Sequence, residues 1–322
     1  MSADLARRLQ QLIRPGDTLW WGQATAEPLT LTRALVEHRH AIAQGGRLGV
    51  FVGRAASDTL RPEQADVLDF FGYAAGGAHR QLADAGRLDI LPSHYSHLPG
   101  LIQGGVLPAD VLLLQVSKPD AEGRHSLGLV REYLPAVLAK ARVVIAEVNP
   151  AIPWTHGGPY LQAGDFALLV DAEHPPLDQP RGAIGAAEQA IARHIAGLIE
   201  DGATLQLGVG NLPEAVLAAL HGHRDLGLHT GAVTDGIAQL AQAGVLTNAQ
   251  KSIDRGVGVG GILMGSDILR RWAECNPQLE LRATDYTHDP VVLAKSHKLA
   301  AINAAIEVDL TGQINAEVAA GC

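Results

Sequence analysis

Residues 204–214 of the chain, TLQLGVGNLPE, combine a short apolar strand, a Gly-x-Gly turn and the start of a helix. Gly208 and Gly210 let a ligand approach the backbone closely, because neither residue carries a side chain. The N-terminus of the helix that follows favours anions. A plain tight turn between a strand and a helix has the same pattern, so the segment alone predicts a local fold and leaves the ligand open.

An earlier segment repeats this arrangement at a constant distance along the chain. Gly16 and Gly202 are 186 residues apart (202 − 16), and the strand and glycine loop that follow each of them keep the same offset. Each copy predicts a helix, a tight turn, a strand, a loop and a second helix with a proline in its first turn, Pro28 or Pro213. The constant offset indicates an internal duplication.

Short apolar runs alternate with helical segments between the two copies. Residues 48–52, 111–116 and 143–148 are such runs, which are typical of strands buried on both faces of a parallel sheet. Strand–helix alternation predicts an α/β fold. The proline-rich polar stretch 173–180 predicts a linker, which divides the chain into domains at 1–177 and 182–322.

Composition narrows the classes of function. The 322 residues carry a formal net charge of −9, and 47% of them are hydrophobic. These values predict a globular protein without the basic surface of a nucleic-acid binder. Cys275 and Cys322 are the only cysteines, so the chain has no disulfide framework, and a cytoplasmic location is expected.

Membrane and metal partners are not expected. No apolar run approaches the roughly 20 residues of a membrane span. The N-terminus predicts an amphipathic helix with Leu5 and Leu9 on its apolar face, and it lacks the apolar core of a secretory signal. The histidine pairs at 94 and 97 and at 221 and 223 have no convincing third ligand, so no metal site is predicted.

A second polar loop, residues 229–236, follows the short strand that begins at residue 226. Loops at the carboxyl ends of parallel strands are where α/β sheets bind ligands. Its candidate substrate-site residues are His229, Thr230, Gly231 and Asp235. Asp235 also fits an N-cap of the helix that follows. A nicotinamide dinucleotide is disfavoured, because the next strand ends at Gly231 where that site needs an acid.

Five segments, in order along the chain, resemble the acetyl-CoA hydrolase/transferase family, which includes 4-hydroxybutyrate CoA-transferase. They lie within residues 110–123, 146–157, 205–213, 225–236 and 302–313. The resemblance implies two similar CoA-transferase-type α/β domains with mostly parallel sheets. It also implies coenzyme A as a substrate, a small carboxylate as its partner, and no metal. The implied CoA site is the glycine turn, formed by Gly208, Val209, Gly210, Asn211 and Leu212.

The resemblance implies a covalent mechanism that this sequence does not support. In the family's transferases, a glutamate directly after His-Thr or His-Ser attacks the acyl thioester and then carries CoA as a glutamyl thioester. Gly231 occupies that position here, so no attack can start from it. Asp235 and Glu27, which lies in the equivalent loop of the first copy, are the alternative nucleophiles. Glu147 and Glu307 are weaker candidates, for which buried structural roles are expected.

Three activities therefore remain open. The chain hydrolyses a small acyl-CoA such as acetyl-CoA, transfers its CoA, or is a degenerate homologue that binds CoA without turnover. Hydrolysis by an activated water, with a carboxylate as general base, needs no nucleophilic side chain. The family continues beyond residue 317, so we expect an incomplete second domain that associates through its open edge or forms a homo-oligomer.

Two further segments carry weaker predictions. Residues 255–261 are rich in glycine and do not follow an evident strand, which predicts a flexible turn. Residues 286–290, YTHDP, predict a polar loop near the substrate or an ordinary surface loop.

Overall fold

The computed structural model describes residues 2–75, 77–179 and 182–316. The strands of its N-terminal half are β1 Thr18–Trp21, β2 Leu48–Phe51, β3 Leu68–Gly72, β4 Leu88–Ile90, β5 Val111–Val116, β6 Arg124–Ser126, β7 Val143–Val148, β8 Tyr160–Gln162 and β9 Leu168–Asp171. Seven of them form one sheet in the order β4-β3-β2-β1-β5-β7-β9, in which every neighbouring pair is parallel. The separate pair β6-β8 is antiparallel.

Helices cover this sheet and bury its apolar strands. They are α1 Ser2–Leu12, α2 Leu29–Glu37, α3 Arg39–Ala43, α4 Arg80–Asp84, α5 Leu98–Gln103 and α6 Leu134–Leu138. The apolar face of α1 is buried as predicted, with Leu9 fully inside the core. Strand β5 is buried along its whole length, which explains why its sequence shows no alternation of polar and apolar residues.

The C-terminal half has several small sheets. Its strands are β10 Thr204–Leu207, β11 Gly227–Leu228, β12 Ala232–Val233, β13 Gly258–Gly260, β14 Ile262–Leu263, β15 Leu279–Leu281, β16 Leu299–Ile302, β17 Glu307–Val308 and β18 Ile314–Asn315. A parallel sheet has the order β11-β10-β16, and β12-β14 and β13-β15 are parallel pairs. The helices are α7 Ala186–Ala196, α8 Asn211–Ala219, α9 Asp235–Gln242, α10 Asp267–Ala273, α11 Thr284–Thr287 and α12 Pro290–Leu293. The α/β class with mostly parallel strands is confirmed.

The predicted repeat is visible in the backbone. Strands β1 and β10 begin 186 residues apart (204 − 18), and each is preceded by a helix and followed by another. The turns before the two strands contain Gly16 and Gly202, with φ values of 87° and 76°. This left-handed conformation favours glycine and explains why both turns contain it. Pro213 lies in the first turn of α8 as predicted, whereas Pro28 lies at the N-cap of α2.

One prediction about the backbone was wrong. The glycine-rich segment 255–261 contains strand β13, which pairs with β15 and is buried. A Cβ on Gly260 would lie 2.3 Å from Cγ2 of Val233, and a Cβ on Gly261 would lie 2.8 Å from the carbonyl oxygen of Gly231. The glycines therefore allow close packing of neighbouring chain segments, where the sequence suggested flexibility.

The two halves meet along the segment that follows β6. The carbonyl of Gly261 accepts a hydrogen bond from the N–H of Arg131 at 2.9 Å, and the carbonyl of Glu132 accepts one from Thr284 at 3.0 Å. Residues 172–179 and 182–185 between the halves have no regular secondary structure. The limits 1–177 and 182–322 remain a prediction, and Cys322 lies outside the described residues. Within the described ranges, no helix is long and apolar enough to cross a membrane.

Candidate active site

The glycine turn faces open space at the start of α8. Gly210 is the N-cap of this helix and has a φ of 127°, a value that strongly favours glycine. A Cβ built on Gly208 or Gly210 would meet no atom within 4 Å. The turn therefore combines uncrowded backbone with a helix N-terminus, an arrangement that favours an anionic group such as a phosphate.

A threonine side chain joins the two predicted motifs. The hydroxyl of Thr230 donates to the carbonyl of Leu207 at 2.9 Å, and the N–H of Leu207 donates back to this hydroxyl at 3.3 Å. Thr230 is completely buried. Because Leu207 is the last residue of β10, these two hydrogen bonds hold the loop 229–236 beside the glycine turn. The sequence predicted both motifs, and the structure places them together.

One pocket is shared by both motifs and by the N-terminal half. Its lining includes Val209 to Asn211 of the turn, Thr234 and Asp235 of the loop, and Arg54 from the other half. Arg54 is exposed, and its guanidinium is the cationic group of this lining. The lining also contains the carboxyl groups of Glu214 and Asp235, so the groups that can receive an anionic ligand are the helix N-terminus and the Arg54 guanidinium.

Gly231 has no side chain, but the space beside it is filled. A Cβ built on Gly231 would lie 2.9 Å from Cε1 and 3.1 Å from Nε2 of His288. The backbone of Gly231 is outside the left-handed region, so a side chain at this position meets a steric obstacle and no conformational one. The imidazole of His288 thus lies where a side chain at residue 231 would begin.

His229, two residues before Gly231, is a buried structural residue. Nε2 of His229 donates to the carbonyl of Thr287 at 3.2 Å, which ties the loop to the end of α11. Burial lowers the pKa of His229 below its ordinary value, and the charge of Lys251 lowers it further. His229 is therefore expected to be neutral, and its contact with Thr287 brings His288 to Gly231.

Two carboxylates proposed from the sequence as nucleophiles are already engaged. Oδ1 of Asp235 accepts the N–H groups of Ser266 at 3.0 Å and Leu269 at 3.1 Å, so it caps α10. The N-cap of its own helix α9 is Thr234, which corrects the expectation for Asp235. Glu27 is buried and accepts hydrogen bonds from two hydroxyl groups, Thr32 at 2.8 Å and Ser57 at 2.5 Å.

The two weaker candidates differ in burial. Oε2 of Glu147 accepts the N–H groups of Thr30 and Leu31 at 2.9 and 3.2 Å, so this buried carboxylate caps α2. Burial raises its pKa to about 7. Glu307 is exposed on β17, and the expectation that it is buried was wrong.

Glu132 is a buried carboxyl group that the sequence did not suggest. Nε2 of Gln23 lies 2.9 Å from each of its oxygens, and the hydroxyl of Tyr95 also donates to it. Burial raises the pKa of Glu132 to about 7. A Cβ on Gly261 would lie 3.4 Å from Cγ of Glu132, and the N–H of Gly261 donates to the carbonyl of Gly231 at 2.8 Å. A single residue, Gly261, therefore separates Glu132 from the loop 229–236.

The backbone at Glu132 is unusual. Its φ of 42° lies in the left-handed region, which costs a non-glycine residue about 1–2 kcal/mol. Such conformations persist where the surroundings fix them, often near functional sites.

Among the described residues, no group of three His, Cys, Asp or Glu side chains is arranged to hold a metal ion.

Family models match both ends of the chain. The acetyl-CoA hydrolase/transferase N-terminal domain matches residues 5–161, and the C-terminal domain of the same family matches residues 265–321.

Individual relatives and solved structures agree with these matches. A 4-hydroxybutyrate coenzyme A transferase from Clostridium kluyveri is 35% identical over 306 residues, which cover 92% of this chain and 69% of the relative. A butyryl-CoA:acetate CoA-transferase from Anaerostipes caccae is 31% identical and covers 95% and 70%. The structure of RipA from Yersinia pestis superposes with a TM-score of 0.91 at 28% identity, covering 97% of this chain and 75% of RipA. A 4-hydroxybutyrate CoA-transferase from Porphyromonas gingivalis superposes with a TM-score of 0.80 at 29% identity, covering 96% and 74%.

Proposed function

Because the chain belongs to the acetyl-CoA hydrolase/transferase family, we propose that it hydrolyses a small acyl-CoA thioester in the pocket between the glycine turn and the loop 229–236. One observation supports this proposal. The open glycine turn, residues 208–212, lies beside the loop that contains Gly231, which has no nucleophilic side chain. A site that binds the thioester without a protein nucleophile leaves water as the attacking group.

The roles of the binding residues follow from their positions. The backbone from Gly208 to Leu212 at the start of α8 is proposed to receive the phosphates of CoA. Arg54 contributes a positive charge from the N-terminal half. The relatives named above act on 4-hydroxybutyryl and butyryl groups and on acetate, so a short acyl chain such as acetyl is the proposed substrate class.

CoA transfer to a small carboxylate is the second candidate, supported by the names of the relatives. It requires a carboxylate other than residue 231 to carry CoA, and Glu27 and Asp235 remain proposed for that role. The hydrogen bonds of both groups count against them, because a nucleophilic oxygen must leave its donors to attack.

Release of free thiol from acetyl-CoA, butyryl-CoA and 4-hydroxybutyryl-CoA tests the proposal. Hydrolysis predicts thiol release without any added carboxylate, whereas transfer predicts acyl exchange that depends on the added acid. Calorimetric binding of CoA with neither reaction would support the degenerate homologue that only binds CoA. Absence of both binding and turnover would overturn the proposal. A cytoplasmic location and homo-oligomerisation remain predictions.

A further inference from the structure

His288 lies beside the Cβ position that Gly231 leaves empty. It is the C-cap of α11, and its ring edge is 2.9–3.1 Å from the position of a Cβ on Gly231. In the family's transferases the nucleophilic glutamate occupies this position, so Nε2 of His288 lies 3.1 Å from the place where the first atom of that side chain would stand.

Thr287 anchors one ring nitrogen of His288. The hydroxyl oxygen of Thr287 lies 3.4 Å from the carbonyl oxygen of Ala283 and 2.8 Å from Nδ1 of His288. In the tautomer that carries its proton on Nδ1, this nitrogen donates to the hydroxyl. Nε2 then carries the lone pair, and within the described ranges it has no protein hydrogen-bond partner. An imidazole with a free Nε2 lone pair and an anchored Nδ1–H is ready to act as a base.

The surroundings keep this imidazole neutral. The edge of Tyr95 packs against the ring with centroids 5.4 Å apart, and burial lowers the pKa of His288 below its ordinary value of 6.5. The other titratable groups on the packed elements are Tyr95, His97, Asp285, Tyr286 and Asp289. His229 is bonded to Thr287, and Glu132 lies behind Tyr95. Burial is the single cause of the shift at His288, so none of these charges counteracts it.

We propose that His288 is the general base of thioester hydrolysis, and this inference rests on the proposed function. Nε2 takes a proton from a water molecule as the water oxygen forms a bond to the acyl carbon. The tetrahedral intermediate then expels the CoA sulfur as the C–S bond breaks. The imidazolium returns the proton to the sulfur, so the products are the free acid and CoA with its thiol restored, and the enzyme is unchanged.

Glu132 is the competing group, and its contacts differ from those of His288. Both of its oxygens are close to Nε2 of Gln23, and Tyr95 donates a further hydrogen bond. Glu132 is buried and engaged by Gln23 and Tyr95, whereas Nε2 of His288 has no hydrogen-bond partner among the described residues. Glu132 is therefore assigned to positioning Tyr95, and through it the imidazole.

The test compares His288→Asn with His221→Asn, a control at an exposed histidine outside the site. His288→Asn is expected to lower kcat for hydrolysis by about 10²–10⁴, the usual contribution of a general base. Its CoA affinity in calorimetry should be unchanged. The wild type should lose activity as pH falls below the ordinary histidine pKa, and the residual activity of His288→Asn should lack this acidic limb. His221→Asn should match the wild type throughout.

A second pair of measurements separates the alternatives. Added imidazole should restore activity to a His288→Ala variant, an effect that a purely structural histidine would not show. Unchanged hydrolysis in folded His288→Asn, or a CoA thioester on the peptide that contains Glu132, would overturn the assignment. If the wild type binds CoA and releases no thiol from any of the three substrates, the proposed function fails first, and the inference fails with it.

Discussion

At the scale of the residue, Gly231 and His288 share one space. The imidazole can lie beside the loop because residue 231 has no Cβ, since a Cβ would be within 2.9 Å of the ring. A glutamate at 231 therefore requires the imidazole of His288 to shift from its present position. The absence of the nucleophile and the placement of a base are two aspects of the same packing arrangement.

This steric conflict predicts how a carboxylate nucleophile could be introduced. Gly231→Glu alone should place its side chain poorly, because His288 obstructs it. The double variant Gly231→Glu with His288→Asn removes the ring and should form a glutamyl-CoA thioester, detected as a mass increase on the peptide containing His229. A misplacement of about 1 Å can cost about 100-fold in rate, so the double variant should transfer CoA about 100-fold faster than the single variant. Equal adduct formation in both would contradict this steric conflict.

The sequence identified Gly231 but could not identify its neighbour. The family resemblance depends on order along the chain, and this order marks residue 231. The proximity of His288 depends on the hydrogen bond from His229 to Thr287, which joins segments 58 residues apart. Glu132 was missed for the same reason, because its partner Gln23 lies 109 residues away. The polar character of residues 286–290 is the signal in the sequence that points to His288.

At the scale of the element, the turn before α8 contains two glycines that are suited to their positions for different physical reasons. Gly208 and Gly210 both face open space, but only Gly210 has a φ in the left-handed region. A side chain at 208 would thus obstruct a ligand without straining the backbone. At 210 it would do both, at a cost in stability of about 1 kcal/mol or more.

We therefore predict that Gly208→Val weakens CoA binding at least tenfold while the melting temperature stays within about 2 °C of the wild type. Gly210→Val should weaken binding and also lower the melting temperature by several degrees. Gly222→Val is the matched control, because this exposed glycine has open space around it and no left-handed φ. Calorimetry and thermal unfolding measure both effects, and undiminished affinity in Gly208→Val would show that CoA does not contact this turn.

The strands were predictable from the sequence where the run of apolar residues was long. Strands β5 and β7 have the predicted limits, since both are continuous apolar runs. Strand β13 was missed because glycine has low strand propensity. Glycine is needed at residue 260 because Val233, from another segment, leaves no room for a Cβ there. Sequence periodicity contains no information about such contacts.

At the scale of the whole molecule, the proposed site lies where the two halves meet. Residues 131 and 132 of the first half hydrogen-bond through their backbones to Gly261 and Thr284 of the second. Glu132 therefore lies beside Gly261, and Tyr95 packs against His288, both in the other half. The sequence predicted two α/β units, but the identity of the residues at their junction depends on how the units pack.

The junction makes the stability of the whole molecule depend on pH. Glu132 has a pKa of about 7 in the folded chain and about 4.5 when unfolded, because burial disfavours its charged form. Between these values the folded state binds more protons, so this group makes stability fall as pH rises from about 4.5 to 7. The pKa difference corresponds to about 3 kcal/mol when the titration is complete.

Glu132→Gln keeps an acceptor for Gln23 and removes the titration. We predict that the free energy of unfolding of this variant increases relative to the wild type by up to about 3 kcal/mol between pH 5 and pH 8. Comparing the two proteins at each pH cancels the contributions of His79, His229 and His288, whose lowered pKa values act in the opposite direction. Urea unfolding at several pH values measures the difference. A difference that is constant with pH would mean that Glu132 is ionised in the folded protein, and Tyr95 and Gln23 would then be the groups that stabilise its charge.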